Sequence, residues 1–364
     1  MSVVVQVVQH LKPGGIETMA LDLAAFSNAD DAWIISLEGD KDEAVANWPR
    51  LAAVADRLIF LNKTPGFRLP LFWQLRNTLK RLKATVVHSH HIGPLLYGGI
   101  AARLAGVQHI IHTEHDAWHL ENEQRRKLQQ RLLTLVKPVL VADAETVAAA
   151  MRQHLGLEAV TIVRNGIDSQ RFKPGDKAAC RRSFNLPEQA ALMGCGGRME
   201  SVKGQNVLID AMVELPETVH LALAGSGSLE AALKQQVDTL GLQDRVHFLG
   251  HLDNMPAFYQ AIDVFCLPSF KEGFPLSSLE AQSCGVPAVV TDVGGSKETL
   301  CTESGLVVPA GDSSALATAL KHQLDHSRDC NPREYVVNHA DVRVMVRQYE
   351  ALVGMASTTQ ELNP

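Results

Sequence analysis

"NGIDSQRFKPGD", residues 165–176, divides this chain. The stretch is polar and turn-rich, and Pro174–Gly175 interrupts any regular element, so it reads as an interdomain linker. Before it, short β-branched runs alternate with amphipathic stretches. Strands are expected near Val3–Val8, Trp33–Leu37, Arg57–Leu61, Thr85–His88, His109–His112, Val139–Ala142 and Val160–Val163. Helical patterns lie between them at Ile16–Phe26, Leu71–Leu82, Pro94–Leu104, Gln124–Val136 and Glu145–Leu155. After it the alternation restarts, with strands near Ala191–Cys195, His220–Ala224, Val246–Leu249, Val264–Leu267, Ala288–Thr291 and Leu306–Val308 and helices such as Gly204–Val213 and Leu229–Leu240. Such alternation predicts a parallel sheet wrapped by helices. Two series in 364 residues predict an α/β protein of two Rossmann-like domains facing an interdomain cleft.

Composition narrows the function. The net charge of −6 argues against nucleic acid as the main partner. The six cysteines, Cys180, Cys195, Cys266, Cys284, Cys301 and Cys330, form no CxxC pair, which fits buried thiols in a reducing compartment. The opening "MSVVVQVVQHLKPGG" lacks the pattern of a signal peptide, and no run of about 18 apolar residues occurs. A cytoplasmic protein is expected. The tail after about Ser357 is short and polar and is expected to be disordered.

The chemistry concentrates in "SFKEGFPLSSLEAQSCGVPAVVTDVGGSKE", residues 269–298. Glu272 lies in a loop at the carboxyl end of an expected strand. Glu280 lies in the helix that follows, where Ser277 and Glu280 have the spacing of a capping box. Free N–H groups and the positive dipole end at that helix start favour an anion, and Gly273 permits a ligand close to the backbone. Carboxylates on either side accept hydrogen bonds from hydroxyls. Hydroxyl, phosphate, hydroxyl is the order of groups in a nucleotide sugar.

Such a ligand needs cations. In "GGRMESVKGQ" (196–205), Arg198 offers a forked donor and Lys203 a point charge after the first strand of the second series. "AGSGSLE" (224–230) also follows a strand, and a tight turn explains Gly225 and Gly227 nearly as well as a phosphate or sugar contact does. No dinucleotide fingerprint follows either first strand.

These residues resemble the retaining glycosyltransferases of family 4, the group 1 glycosyltransferases of GT-B fold. The resemblance runs through "LKPGGIE", "HTEH" (112–115), "RNGID" (164–168), "GGRMESVKG" (196–204), "AGSG" (224–227), "EGFPLSSLEA" (272–281) and "VGGSKE" (293–298). It implies an acceptor-binding domain over 1–168 and a donor-binding domain over 169–334, with a last helix of about 335–354 packing back on the first. It implies that Glu272 holds hydroxyls of the transferred sugar and Glu280 the donor ribose. Arg198 and Lys203 would stabilise the leaving diphosphate, assisted by the loop Gly273, Phe274, Pro275 and Leu276. Gly14 and Gly15 would admit donor phosphate and acceptor, and His115 would lie beside the reacting sugar. The implied reaction moves a hexose from a nucleoside diphosphate sugar to an acceptor hydroxyl with retained configuration. No cofactor or metal takes part, and a donor phosphate oxygen takes the acceptor proton. UDP is the expected nucleotide, with GDP its main competitor. The expected acceptor is a glycan or lipid-linked oligosaccharide of surface polysaccharide synthesis.

The chain departs from the family pattern at Arg164, where proline is common, and at Asp143, where serine is common. Both bear on the acceptor. Four other readings stay open: a metal-dependent transferase using Asp-x-Asp in "GDKDE" (39–43), a glycosidase using the two carboxylates, a sugar-nucleotide epimerase of similar fold, and a non-catalytic nucleotide-sugar binder. "RLPLFWQLRNTLKRLK" (68–83) is a basic amphipathic helix without an acid. Either it packs its leucines on the first sheet, or it also rests on anionic lipid at the inner membrane face.

Overall fold

The computed structural model describes residues 1–326 and 331–355; Cys330 and the tail expected to be disordered lie outside the described residues. The chain forms two compact units: Met1–Asn165 with the chain from Val342 onward, and Gly166–Asp341.

Unit 1 holds seven parallel strands: β1 (Val3–Val8), β2 (Asp31–Ser36), β3 (Leu58–Phe60), β4 (Val86–His90), β5 (His109–Glu114), β6 (Val139–Ala142) and β7 (Thr161–Ile162). Their spatial order is β3-β2-β1-β4-β5-β6-β7. Unit 2 holds six: β8 (Ala191–Gly196), β9 (Val219–Ala224), β10 (Val246–Gly250), β11 (Val264–Leu267), β12 (Ala288–Thr291) and β13 (Leu306–Val308), ordered β10-β9-β8-β11-β12-β13 and again parallel. The central strands read as continuous apolar runs because helices cover both faces. Every residue of β1, β11 and β12 is buried.

On one face of the first sheet, Leu71, Phe72, Leu75 and Leu79 of the helix Leu69–Leu82 pack with Val5, Val7, Val87 and Ile110. On the other, Val342, Met345, Val346 and Tyr349 of the helix Val342–Ala351 pack with Val4, Met19, Ile111 and Val141. Glu350 ties this helix to Asn28, accepting from its backbone N–H at 2.7 Å and its side-chain amide at 2.8 Å. The preceding helix, Pro332–His339, is separate and belongs to unit 2.

Three stretches differ in detail from their sequence reading. The stretch 165–176 is a packed part of unit 2 from Gly166 on, where Phe172 is buried and its carbonyl accepts from Ser283 Oγ at 2.5 Å. The helix expected over Pro94–Leu104 is present from Ile92 to Ala105, with a π-helical turn, Leu95–Gly99, inside it. Gly98 and Gly99 sit against the core there, where a Cβ would come within 3.1 Å of Val7 and 3.0 Å of Val136. In the Asp-x-Asp run at 39–43, Asp40 caps the helix Lys41–Asn47 by accepting from the N–H groups of Asp42 and Glu43.

Strand order reverses between β1 and β4 in the first sheet and between β8 and β11 in the second. Loops leaving the carboxyl ends of such a pair diverge to opposite faces and leave a crevice for ligand.

Candidate active site

In unit 2 the loops after β8, β9, β11 and β12 interlock. Phe270 N–H donates to the Val202 carbonyl at 2.8 Å, and Gly204, at φ +65°, lies where a Cβ would come within 2.1 Å of the Pro268 carbonyl oxygen. This closeness brings Lys203 Nζ to 2.7 Å from Glu272 Oε1, which also accepts from Ser269 Oγ at 2.6 Å. Gly295 N–H donates to the Gly273 carbonyl at 2.7 Å. Gly294, at φ +51°, approaches so near that a Cβ would stand 1.8 Å from the Glu272 carbonyl oxygen. The VGG turn thus braces the EGF loop from below.

The glycines of "AGSG" serve packing between loops. A Cβ on Gly225 would lie 2.0 Å from the Gly197 carbonyl oxygen, and one on Gly227 2.4 Å from that of Met199. Glu200 closes the same seam, accepting from Ser228 N–H at 3.1 Å and Ser228 Oγ at 2.7 Å. Those hydrogen bonds hold its carboxyl below the usual carboxylate range.

The helix Leu276–Ser283 starts without a side-chain cap, so the expected capping box is absent. Pro275, at φ −73°, holds the N-cap place instead of Ser277. The first-turn N–H groups have no partner from within the helix. Glu280 is consequently no capping residue; its Oε2 accepts from the Tyr259 hydroxyl at 2.7 Å. Burial, with the adjacent Glu280 charge, pushes the Tyr259 phenol well above its ordinary value, so it remains a donor. Tyr259 and Glu280 line a cavity of about 290 Å³ with Gly196–Arg198, Gly225, Met255 and Ser277. Arg198 is exposed at its mouth. Cys195, beneath Lys203 and Glu272, is buried and its thiol is pushed up to about 12, first by burial. The described cysteines are free thiols.

Unit 1 presents different chemistry at its own strand ends. Gly14 is the N-cap of the helix Gly15–Ala25, and a Cβ there would meet Glu17 Oε2 at 2.4 Å. Gly15 has open space around its missing side chain. Burial raises the Glu17 carboxyl, opposed by a hydrogen bond to its own backbone and by His10 and His115. His115 follows β5 and is buried. Its Nδ1 lies 2.9 Å from Asp143 Oδ2 and its Nε2 lies 3.1 Å from His90 Nδ1. Gln6 Oε1 meets His90 Nε2 at 2.9 Å, and Asn165 Nδ2 donates to Asp143 Oδ2 at 2.9 Å.

"HTEH" works by strand alternation. His115 and Thr113 point to this chain and to His88 and Tyr349, with Thr113 Oγ1 2.8 Å from His88 Nε2 and 3.0 Å from Tyr349 Oη. His112 and Glu114 point to the other face, where His112 Nε2 lies 2.8 Å from Glu114 Oε1 and Gln129 also donates to Glu114. Burial holds His88 and His90 well below the ordinary histidine value, reinforced by their histidine neighbours. His91 adopts φ +70° and ψ 168°, a region that costs a side-chain-bearing residue about 1–3 kcal/mol, with its ring edge-on to His115 at 5.6 Å.

Two family models meet within the stretch 165–176: Glycosyltransferase Family 4 covers residues 13–171 and Glycosyl transferases group 1 covers 176–342. The D-inositol 3-phosphate glycosyltransferase of Corynebacterium urealyticum is 31% identical over 290 residues, 71% of this chain and 68% of that protein. The chain belongs to the group 1 glycosyltransferases of family 4. A second relative, the lipopolysaccharide core biosynthesis mannosyltransferase LpsB of Rhizobium meliloti, is 35% identical over 178 residues, 45% of this chain and 50% of LpsB. The matched stretches span between 50% and 68% of these and the other curated relatives' lengths. Among solved structures, Anabaena HepE in complex with UDP superposes with a TM-score of 0.85 at 23% identity, covering 97% of this chain and 100% of HepE. WaaG, a glycosyltransferase involved in lipopolysaccharide biosynthesis, superposes with a TM-score of 0.70 at 18% identity, covering 96% of this chain and all of WaaG. The fold is therefore GT-B.

Within unit 2 of this group 1 glycosyltransferase, the predicted Lys203, Glu272, Gly273, Phe274, Pro275 and Leu276 converge on one loop cluster, and Arg198, Gly225 and Glu280 on the adjoining cavity. Within unit 1, Gly14 and Gly15 follow β1 and His115 follows β5, the two strands that flank β4. Two groups escaped the sequence. Tyr259 reads as core in "AFYQAI", and nothing local links it to Glu280. His90 and Asp143 become His115's partners only once β4, β5 and β6 lie side by side. The repeated "HSHH" (88–91) and "HTEH" (112–115) was the available signal.

Proposed function

We propose that this protein is a retaining, metal-independent hexosyltransferase. It moves a hexose from a nucleoside diphosphate sugar, UDP-linked, to a hydroxyl of a glycan or lipid-linked acceptor in surface polysaccharide synthesis. The observation that carries the reading is the Lys203–Glu272 pair at 2.7 Å, held beside an uncapped helix start at the β8/β11 reversal. A carboxylate there can accept from sugar hydroxyls, and a cation beside it can neutralise phosphate. HepE, solved with UDP and with UDP-glucose, supports the nucleotide. The name of LpsB keeps mannose among the candidate sugars.

In the proposed reaction the bond between the anomeric carbon and the donor phosphate oxygen breaks as the acceptor oxygen bonds to that carbon on the same face. The acceptor proton passes to the departing phosphate. Arg198, Lys203 and the first-turn N–H groups of Leu276–Ser283 stabilise the growing negative charge and need no rearrangement as it forms. The 290 Å³ cavity beside Glu280 takes the nucleoside. Donor assays across UDP-, GDP- and ADP-sugars, with the product anomer read by NMR, test this reading. Transfer that persists in excess EDTA with retained configuration supports it; an inverted product or release of an epimerised nucleotide sugar refutes it.

The proposed place of action is the cytoplasmic membrane face. The helices Leu69–Leu82, Ile100–Ala105 and Glu123–Val136 lie on one side of the first sheet. Residues 64–84, 100–108 and 123–137 carry eleven cations and one acid, Glu123, in a chain whose net charge is −6. Trp73, Leu104 and Leu135 are exposed among them, with Arg76 over the Trp73 ring at 5.5 Å. No helix of the described residues is long and apolar enough to cross a membrane. Sedimentation with anionic liposomes, lost on replacing Arg76, Lys80, Arg81 and Lys83 by glutamine, tests the contact. Absence of sedimentation at low salt points to a soluble acceptor.

A further inference from the structure

We propose that Asp143 is a positioning residue that locks His115 as the Nδ1–H form and fixes the ring within a hydrogen-bonded chain across unit 1. The proposal rests on the transferase reading for its kinetic consequence, though not for its structural one.

The argument starts from donor and acceptor capacity. A hydroxyl at this position would both donate and accept and would select no imidazole tautomer. An aspartate carboxylate only accepts. At 2.9 Å from Asp143 Oδ2, His115 Nδ1 must therefore carry the proton. Asn165 Nδ2 donates to the same oxygen at 2.9 Å and holds the carboxylate in place. Asp143 is 1% exposed, and among the described residues its other oxygen, Oδ1, takes no hydrogen bond, so its polar contacts serve His115 and Asn165.

The consequence runs inward. His115 Nε2 faces His90 Nδ1 at 3.1 Å, and burial keeps His90 neutral, with one N–H to place. When that N–H points to His115, the Gln6 amide turns its nitrogen to His90 Nε2; when it points to Gln6, His115 donates from both nitrogens. The two amide orientations differ only by exchange of oxygen and nitrogen. Nδ1 keeps its proton in both. The chain Gln6–His90–His115–Asp143–Asn165 thus ties β1, the ends of β4 and β5, and the segments after β6 and β7. It sets the ring against which the strained His91 packs. Both nitrogens of His115 being engaged, the side chain is a fixed wall of the acceptor half rather than a free base.

Three variants test this: Asp143→Ala, Asp143→Asn and His115→Gln, the last to assign the His115 signals. In ¹⁵N NMR of uniformly labelled full-length protein, His115 should show Nδ1–H in the parent and shift toward Nε2–H in Asp143→Ala. Asp143→Asn, whose amide both donates and accepts, should leave His115 without a fixed tautomer although the side chain keeps its shape. In transfer assays Asp143→Ala should lower kcat by roughly 10- to 100-fold, with donor KM within about twofold. Asp143→Asn should share most of that loss, since it keeps the volume and loses the acceptor-only carboxylate. An unchanged tautomer in Asp143→Ala overturns the proposal, as does an Asp143→Asn with the parent's tautomer and activity. A loss of kcat that merely follows a loss of melting temperature, with the tautomer intact, also overturns it. If no donor is turned over at all, the transferase reading fails while the tautomer still decides the positioning claim.

Discussion

Units 1 and 2 share a plan, a parallel sheet that reverses order at its centre with functional groups on the loops beyond, yet they hold those groups by opposite means. In unit 2 the loops grip each other through backbone bonds and glycines, and of the charged pair they carry Lys203 is 23% exposed and Glu272 8%. In unit 1 the side chains themselves form the scaffold, with His88, His90, His112, Glu114, His115 and Asp143 all at 5% exposure or less. A site shaped by main chain keeps its form when a side chain changes. A site shaped by buried side chains depends on every proton in it. Substitution should therefore act locally in unit 2 and cooperatively in unit 1.

The largest effect belongs to Glu272. Glu272→Gln should lower kcat roughly 100-fold, about 3 kcal/mol of transition-state stabilisation, while the fold persists because the loop is held by backbone contacts. Lys203→Ala should fall comparably, and the double variant should lose less than the sum, since each residue is the other's partner at 2.7 Å. A steep drop in melting temperature for Glu272→Gln would show that this site, too, is held by its side chains. Gly294→Ala sharpens the same point from the backbone. The added Cβ must displace the Glu272 carbonyl and adopt φ +51°, so activity should drop by tenfold or more although no charged group is touched.

Acid should separate the units next. His88 and His90 titrate well below 6.5 in the fold because of burial, so the unfolded chain takes up protons first as pH falls. Stability is then lost below about pH 6.5, at up to about 1.4 kcal/mol per group per pH unit, until the folded-state values are reached. Glu114 acts in the same direction at lower pH. Burial tends to raise it, but its hydrogen bond to His112 and the nearby histidines bring it below 4.5, so its contribution vanishes as pH falls through the folded value. His119 opposes them. Burial tends to lower it, but Asp116 and Glu114 raise it, so it stabilises below about 6.5 and loses that contribution as pH rises through its folded value. In unit 2 the His220–His247 pair is only half-buried. Hydrogen exchange at pH 5 should show unit 1 opening before unit 2; equal protection would refute the contrast.

What was legible in the sequence follows the same divide. Unit 2's site is written in local runs, "GGRMESVKG" and "EGFPLSSLEA", because βα loops carry their ligand groups within a few residues of a strand end. Lys203 and Glu272 are placed by those runs alone. The capping box misled because Pro275, two residues before Ser277, took the cap position. Unit 1's network uses residues at 6, 90, 115, 143 and 165, which only sheet pairing brings together. Asp143 was visible as a departure and His115 as a site residue, but their pairing was not.

Tyr259 tests the contrast with the smallest change. Its hydroxyl donates to Glu280 Oε2 at 2.7 Å, while its ring packs edge-on to Phe172, Phe258 and Phe265. Tyr259→Phe removes one oxygen and leaves the packing. A hydrogen bond to a charged acceptor is worth about 1.5–3 kcal/mol when buried, but Glu280 borders an open cavity where water replaces part of it. About 1 kcal/mol should remain, equivalent to roughly a fivefold rise in donor KM. Because the proposed partner of Glu280 is a ribose that does not react, kcat should stay within about twofold. Steady-state kinetics with the donor varied at saturating acceptor gives both numbers. A fall in kcat at constant KM would mean that Glu280 strengthens its grip as the bond breaks, and the nucleoside assignment of the cavity would have to be given up.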